Sequence, residues 1–286
     1  MENRPLVSVL MTAYNRENYI AEAIESVLNS TYTNFELIIV DDCSSDNTVA
    51  IAGKYKLSDN RIKIYVNDKN LGDYPNRNKA ASYATGEYIM NVDSDDIIFK
   101  DSIEKCTALM LQHPQIHFGT YYRIPAKEPF ILDSATALYE HFFKTPYLMI
   151  GPGGTIIRRS FFNDIGGYPE KYGPANDMYF NLKATRRSDV LMIPFEIYHI
   201  RIHAGQEINN AYAYLYNNYR YNRDSFNELD LPFDTKAIQW LHKKNKRRFV
   251  VNVFRYFIQS RNISKTRNAI KMASFTFRDA IEGIFH

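Results

Sequence analysis

The chain is poor in cysteine. Cys43 and Cys106 are its only two in 286 residues, and they stand far apart with no metal-ligand spacing. That argues against a disulfide scaffold or a zinc site and fits a reducing compartment. Long apolar runs are also missing. None reaches the ~18–20 residues needed to span a bilayer, and no charged-then-apolar leader opens the chain, so a cytoplasmic protein without a transmembrane helix is expected. No Gly-x-Gly-x-x-Gly follows the first strand, and no Gly-x-x-x-x-Gly-Lys-Ser/Thr occurs at all. Both absences count against the common dinucleotide fold and the P-loop. A nucleotide bound here would be held by carboxylates and a metal instead. There is no internal repeat and no low-complexity segment.

Acid is scarce in one region. Residues 236–286 carry 12 Lys/Arg against 2 Asp/Glu, whereas residues 1–235 carry 23 against 30. A net of +10 therefore sits on a body of −7, which together give the chain's +3. Aromatics are abundant, with 22 Tyr and 18 Phe. The length suits one large domain, or a domain with an appendage.

The first third reads as β-α-β-α-β-α-β. Apolar, β-rich runs at 6–11, 35–40, 61–66 and 88–92 predict strands. Helical periodicity at 17–30 predicts an amphipathic helix, and further helices follow the second and third strands. Ser44, Ser45 or Asp46 would cap the second helix. Gly72 would sit at positive φ, and Asp73-Tyr-Pro75 would open the third helix. Short connections in this order predict a parallel sheet with helices on both faces. Ligands bind outside the carboxyl ends of such strands. Thr12, Tyr14, Asp42 and the Asp93–Asp95 pair would therefore line one pocket.

The strand over 88–92 is the centre of this arrangement, because it ends in Asp93, Asp95 and Asp96. Clustered carboxylates repel one another unless a cation sits between them. Asp-x-Asp on a turn offers oxygen ligands to Mg²⁺ or Mn²⁺, an ion that usually shares its coordination with substrate phosphates. The plainer alternative is a polar turn in which Asp96 or Asp101 caps the next helix.

Several motifs then coincide. Val7-Ser-Val-Leu-Met-Thr-Ala-Tyr-Asn15, Val40-Asp-Asp-Cys-Ser-Ser-Asp-Asn-Thr48, Asn70-Leu-Gly72, Arg77-Asn78 and Gly86-Glu-Tyr-Ile-Met-Asn-Val-Asp-Ser-Asp-Asp96 together resemble the family-two glycosyltransferases of GT-A fold, in family order and spacing. The resemblance implies an inverting, metal-dependent sugar transferase that uses a nucleotide-sugar. By it, Thr12, Tyr14 and Asp42 contact the nucleoside, with Asp42 on the base. A carboxylate would accept from a uracil N3–H. Asp93 faces the ribose or the sugar, and Asp95 ligates the metal on the diphosphate. Arg77 could reach a phosphate, or belong to a solvated helix face.

In the second half, helices are expected at 101–112 and 135–143 and strands at 115–124 and 190–198. Gly151-Pro-Gly-Gly154 makes a turn that could let a sugar approach the backbone. Asp177 opens a helix, where an Asp is ordinarily a cap or a dipole partner. The resemblance instead places the general base there, taking the proton of an acceptor hydroxyl as it attacks. Asn176 departs from the acid more common before it. Alternation puts His199, Arg201 and His203 on one face. The resemblance implies that this basic motif closes over the diphosphate, with His203 on the metal; a hydrogen-bonded surface His is the alternative. From residue 208 the pattern is helical and Tyr-rich, and Phe249, Val250, Val253, Phe254, Phe257 and Ile258 are expected to share one face. That basic amphipathic helix would either pack on the catalytic domain or lie on an anionic membrane. No nucleic-acid motif accompanies it.

The expectation is thus an α/β GT-A fold. Residues 1–206 would form the catalytic domain, with a nucleotide-sugar half at about 1–100 and an acceptor half at about 101–206, and residues 207–286 a basic helical extension. The expected function is metal-dependent transfer from a nucleoside-diphosphate sugar to a glycan or lipid-linked glycan, for cell-surface polysaccharide. UDP-sugar is favoured, with GDP- and dTDP-sugars open. The rivals are a sugar nucleotidyltransferase, which should carry a basic Gly-rich loop after the first strand, and a non-catalytic scaffold on the same fold.

Overall fold

Two interior strands are apolar on every residue of their middle, and the structure explains why. In β1 (Val7–Ala13), Val7, Val9 and Met11 enter one core cluster and Leu10 enters another. In β2 (Phe35–Asp41), Leu37 and Ile39 go to one side and Ile38 and Val40 to the other. Strands covered on both faces by helices need apolar residues in both directions. The computed structural model describes residues 4–122, 127–203, 206 and 209–285. Ile124 and Pro125, Ala204 and Gly205 of the basic motif, and Ile208 lie outside the described residues.

The remaining elements are α1 (Ile20–Leu28), α2 (Thr48–Ser58), β3 (Ile62–Val66), α3 (Asp73–Ser82), β4 (Tyr88–Asn91), β5 (Ile97–Ile98), α4 (Ser102–Gln112), β6 (Phe118–Tyr121), β7 (Phe130–Leu132), α5 (Ser134–Tyr139), β8 (Thr155–Arg158), α6 (Arg159–Asp164), α7 (Asn176–Arg187), β9 (Val190–Ile193), β10 (Tyr198–His199), α8 (Ala211–Glu228), α9 (Thr235–Ser260), α10 (Ile263–Met272) and α11 (Phe277–Phe285). The main sheet runs β3-β2-β1-β4-β8-β6-β9-β7. Its first four strands are parallel, as the βαβ pattern predicts. The second half is mixed: β8 runs antiparallel to both β4 and β6, β9 is parallel to β6, and β7 is antiparallel to β9.

Two features fix β4 against β1. A Cβ on Gly86 would lie 2.6 Å from the Leu6 carbonyl oxygen, so only glycine lets the chain enter β4 this closely. Beside it, Glu36 is buried in β2. Burial alone would raise its carboxyl, but bonds from Lys63 Nζ (2.6 Å), Ser8 Oγ (2.6 Å) and the Thr85 N–H (2.7 Å) hold it at about 2.

Three expectations need correction. The strand expected over 190–198 stops at Ile193, because Pro194 has no N–H for the ladder. Tyr198 and His199 instead pair antiparallel with Ile98 and Ile97 in a separate two-stranded sheet. The strand expected over 115–124 is β6 alone within the described residues. The expected single apolar face of α9 is split: Phe249 is buried and Val253 packs beside it, while Phe254 and Ile258 are exposed. At about 100° per residue that set covers half the helix circumference, more than one packing contact can take up.

The last four helices lie partly on the main core. Tyr221 and Phe226 of α8 and Leu241 of α9 join the larger cluster, while Leu215, Tyr219, Phe249, Ala269 and Ala273 form a small core of their own. The Tyr stripe of α8 is accordingly packing, with Tyr219 against Phe249 and Tyr212 against Tyr216 and Tyr256.

Candidate active site

The tips of β1, β2 and β4 open on one edge, and the carboxylates of 93–96 stand there on a tight turn. The Asp96 N–H donates to the Asp93 carbonyl (2.9 Å), and Ser94 Oγ donates to the Thr12 carbonyl (2.8 Å), tying this turn to the end of β1. One oxygen from each of Asp93, Asp95 and Asp96 lies within 4.8 Å of the others. Asp96 is buried, and burial with the neighbouring Asp93 charge pushes its carboxyl up to about 7. Arg77, buried on α3, lies between two acids. Its Nε donates to Asp73 Oδ1 (2.8 Å) and its Nη1 lies 2.7 Å from Asp93 Oδ1. Arg77 therefore orients Asp93 rather than standing free for a phosphate.

Asp95 is the most heavily engaged of the three. Its Oδ2 accepts from Arg16 Nε at 3.0 Å and lies 2.9 Å from His203 Nε2. The His203 ring stacks on Tyr19, with centroids 4.6 Å apart. Arg201 clamps the same turn. Its Nε donates to the Asp95 carbonyl (2.6 Å), its N–H to Asp96 Oδ1 (3.1 Å) and its Nη1 to Glu22 on α1 (2.8 Å). His199 stays exposed in its short ladder, so the basic motif divides: 201 and 203 turn inward and 199 does not. Three carboxylates with an imidazole nitrogen beside them form a donor set that fits Mg²⁺ or Mn²⁺.

On the nucleoside side, Tyr14 is 46% exposed at the mouth of the edge. Its loop is locked to the next one: the Asn15 N–H donates to Ser44 Oγ (2.8 Å), and the Ser45 N–H to Asn15 Oδ1 (2.9 Å). Asp41 caps its own loop through the Ser44 N–H (2.8 Å). Asp42 is buried and already useful to the fold. Its Oδ1 accepts from Asn67 Nδ2 (2.8 Å) and the Leu71 N–H (2.8 Å), and its Oδ2 from the Gly72 N–H (2.9 Å). Gly72 has φ +90°, the conformation that lets this turn wrap the carboxylate. Three of about four acceptor directions are taken, which leaves one for a ligand N–H.

Asp177 lies in the first turn of α7. Burial pushes its carboxyl up to about 7; the Met178 N–H (2.8 Å) and the Arg77 charge pull it down, and the Asp73 charge pushes it further up. Arg77 and Asp73 belong to α3, so the acid of the second half faces the nucleotide-side helix of the first. A Cβ on Gly151 would lie 3.9 Å from Asp177 Oδ2. Asn181, one turn along, holds that glycine loop through the Leu148 and Ile150 carbonyls (both 2.8 Å). Asn176 is a local brace, accepting from the Tyr172 N–H (2.9 Å) and donating to the Gly173 carbonyl (2.7 Å). Asp73 is half exposed on the cleft wall.

Arg16 and Asp73 are the residues that sequence reasoning left out of the site. Arg16 sits in the polar loop after β1, which marked it weakly. Asp73 and Arg77 are four apart on one helix, a spacing that predicts the pair. The Arg201 contacts to Asp95 and Asp96 join residues more than a hundred apart, and no local pattern signals them.

A family model described as glycosyl transferase family 2 matches residues 8–166. TuaG of Bacillus subtilis, named for a glycosyltransferase role in teichuronic acid biosynthesis, is 38% identical over 130 residues, 46% of this chain and 52% of that protein. WfgD of Escherichia coli, named UDP-Glc:alpha-D-GlcNAc-diphosphoundecaprenol beta-1,3-glucosyltransferase, is 42% identical over 120 residues, 41% of this chain and 46% of that one. The chain thus spans about half the length of the curated relatives it matches. Among solved structures, residues 1–349 of S. aureus TarS in complex with UDP-GlcNAc superpose with a TM-score of 0.73 at 24% identity, over 93% of this chain and 79% of that one. That likeness shows a shared fold.

Proposed function

The chain belongs to glycosyl transferase family 2 and has the GT-A fold, and on that premise we propose that it moves a sugar, with inversion, from a UDP-sugar to a hydroxyl of a glycan or lipid-linked glycan in cell-surface polysaccharide synthesis. The observation that carries this reading is the pairing of two kinds of acid across one cleft. Asp95 stands at the strand tips with Arg16 and His203 on one oxygen, and Asp177 is buried with its carboxyl near neutrality. The names of WfgD and the UDP-GlcNAc complex of TarS support a UDP-sugar donor and a lipid-linked acceptor.

In this reading Asp42 gives its last acceptor direction to a base N–H, and Thr12 and Tyr14 flank the nucleoside. Asp93, held by Arg77, faces the ribose or the sugar. Asp95, with His203, would hold Mg²⁺ or Mn²⁺, which supplies charge neutralisation for a departing diphosphate. Arg16 and Arg201 keep that turn in place and add positive charge on the same side. Asp177 takes the proton of the acceptor hydroxyl as it attacks the anomeric carbon from the face opposite the leaving group. A positioned base of this kind contributes ~10²–10⁴-fold. Attack from that face turns an α-linked donor into a β-linked product. We assign residues 1–100 to the nucleotide-sugar half, 101–206 to the acceptor half and 207–286 to a helical extension.

Thermal melting with UDP, GDP or dTDP, each with and without Mn²⁺, tests the donor site. A ligand that binds the native state raises the melting point by mass action. The expected outcome is a Mn²⁺-dependent rise with UDP that Asp95→Ala loses. No rise with any of the three nucleotides would remove the metal-site assignment.

A further inference from the structure

The last helix is arranged inside out. On its inner side, Asp279 and Glu282 of α11 both pair with Lys246 of α9, the first at 2.8 Å. A Cβ on Gly283 would lie 2.9 Å from the Arg247 nitrogen and the Lys246 carbonyl carbon, so α11 is seated directly on the backbone of α9. The acids of α11 therefore face the protein. Phe277, Ile281, Ile284 and Phe285 recur at four-, three- and one-residue steps on the opposite side and are exposed, Phe277 by 82% and Phe285 by 73%. A solvated helix carries the reverse arrangement, apolar inward and charged outward.

The outer side of α9 shows the same pattern. Val251, Phe254 and Ile258 follow at three- and four-residue steps, all exposed, away from the buried Asn245 and Phe249. Exposed arginines, Arg247 and Arg261, bracket the stripe at the same spacing. Of the twelve cations in residues 236–286, only Lys246 and Arg278 have carboxylate partners among the described residues. Exposed aromatic and aliphatic side chains, flanked by unpaired cations, complement a surface that is negative at its headgroups and apolar just beneath them. No helix among the described residues is long and apolar enough to cross a membrane.

We propose that the outer faces of α9 and α11 dock the protein on an anionic lipid bilayer, with Phe254, Ile258, Phe277 and Phe285 entering the headgroup boundary and Arg247, Arg255 and Arg261 lying against the phosphates. The proposal deepens the lipid-linked acceptor of the preceding reading and rests on it only for its purpose. The link to the site is α8, which packs on α9 and α10 and also on the 3₁₀ turn Gly173–Ala175 just before Asp177. Docking through these helices is thereby joined to the segment that presents the acceptor-side acid.

The test is flotation of the full chain with vesicles of phosphatidylcholine alone or phosphatidylcholine with phosphatidylglycerol, read beside the UDP melting shift. Wild type is expected to float with the anionic vesicles, to be released by salt, and to ignore the neutral ones. The double variant Phe254→Ser/Phe277→Ser should lose flotation about tenfold or more, and Arg255→Gln/Arg261→Gln about tenfold, since each cation at such a surface is worth several-fold. Both variants change exposed side chains and should keep the wild-type melting point and UDP shift. Absence of flotation with anionic vesicles at low salt overturns the proposal. So does a dimer by light scattering that the Phe254→Ser/Phe277→Ser variant dissociates, which would make the face a contact between copies. Flotation without any UDP shift would spare the docking face and remove the UDP-donor reading.

Discussion

The two ends of the cleft use one side chain in opposite settings. At the strand tips, Asp95 meets Arg16 and His203 on a single oxygen, with Arg201 behind its carbonyl. At the start of α7, Asp177 is buried against the Met178 N–H and beside Tyr74, and its carboxyl moves up to about 7. The first setting puts carboxylate oxygens beside an imidazole nitrogen, a donor set suited to a cation. The second favours a carboxylate that gains and loses a proton near neutral pH, the property a general base needs. The proposed division between ligand and base therefore rests on surroundings rather than on residue type.

Removing the second member should have the largest effect. Asp177→Asn is expected to lower turnover ~10²–10⁴-fold while leaving the Mn²⁺-dependent UDP melting shift intact. Its stability effect has the opposite sign. A carboxyl raised from about 4 to about 7 on folding adds stability that is fully present below its unfolded value and is lost as pH rises through about 7. Asn does not charge, so the variant should melt above wild type at pH ~8, by an amount on the order of 3–4 kcal/mol, and converge with it near pH ~4. Equal melting points at both pH values would mean that Asp177 is not desolvated as described.

A smaller effect should come from the group between the two ends. Arg77→Met removes the cation that separates Asp73 from Asp93. Breaking a buried pair costs ~3–5 kcal/mol, and the half-exposed Asp73 lowers the expected loss to about 2–3 kcal/mol by chemical denaturation. If Arg77 instead served a phosphate alone, the loss would appear in nucleotide affinity with stability unchanged.

Most of the donor edge was legible in the sequence because each strand there is a local apolar run that ends in the residues it presents. Thr12, Asp42 and Asp93 need only the βαβ pattern to be placed on one side. Gly72 was visible as a turn residue, and the structure adds what it and Gly86 each let approach. The basic motif was half legible: alternation treats His199 and His203 alike, but the chain leaves the main sheet at Pro194 and only the residues after His199 fold back onto Asp95. Arg16 was not legible as a partner of Asp95, since 79 residues separate them and nothing local signals the contact. The face of α9 was misjudged because apolar character alone does not distinguish a side chain seated against α8 from one turned outward. The structure resolves the two, with Phe249 seated on Tyr219 and Phe254 and Ile258 exposed.

The central claim is that Asp177 is the base, and the pH dependence of UDP-sugar hydrolysis without acceptor tests it most directly, with water in place of the acceptor hydroxyl. Between pH ~5 and ~9 the rate should climb tenfold per pH unit and level off above about 7. In Asp177→Asn the residual rate should be flat over the same range. A wild-type rate without that rise, or a variant that keeps it, would contradict the assignment.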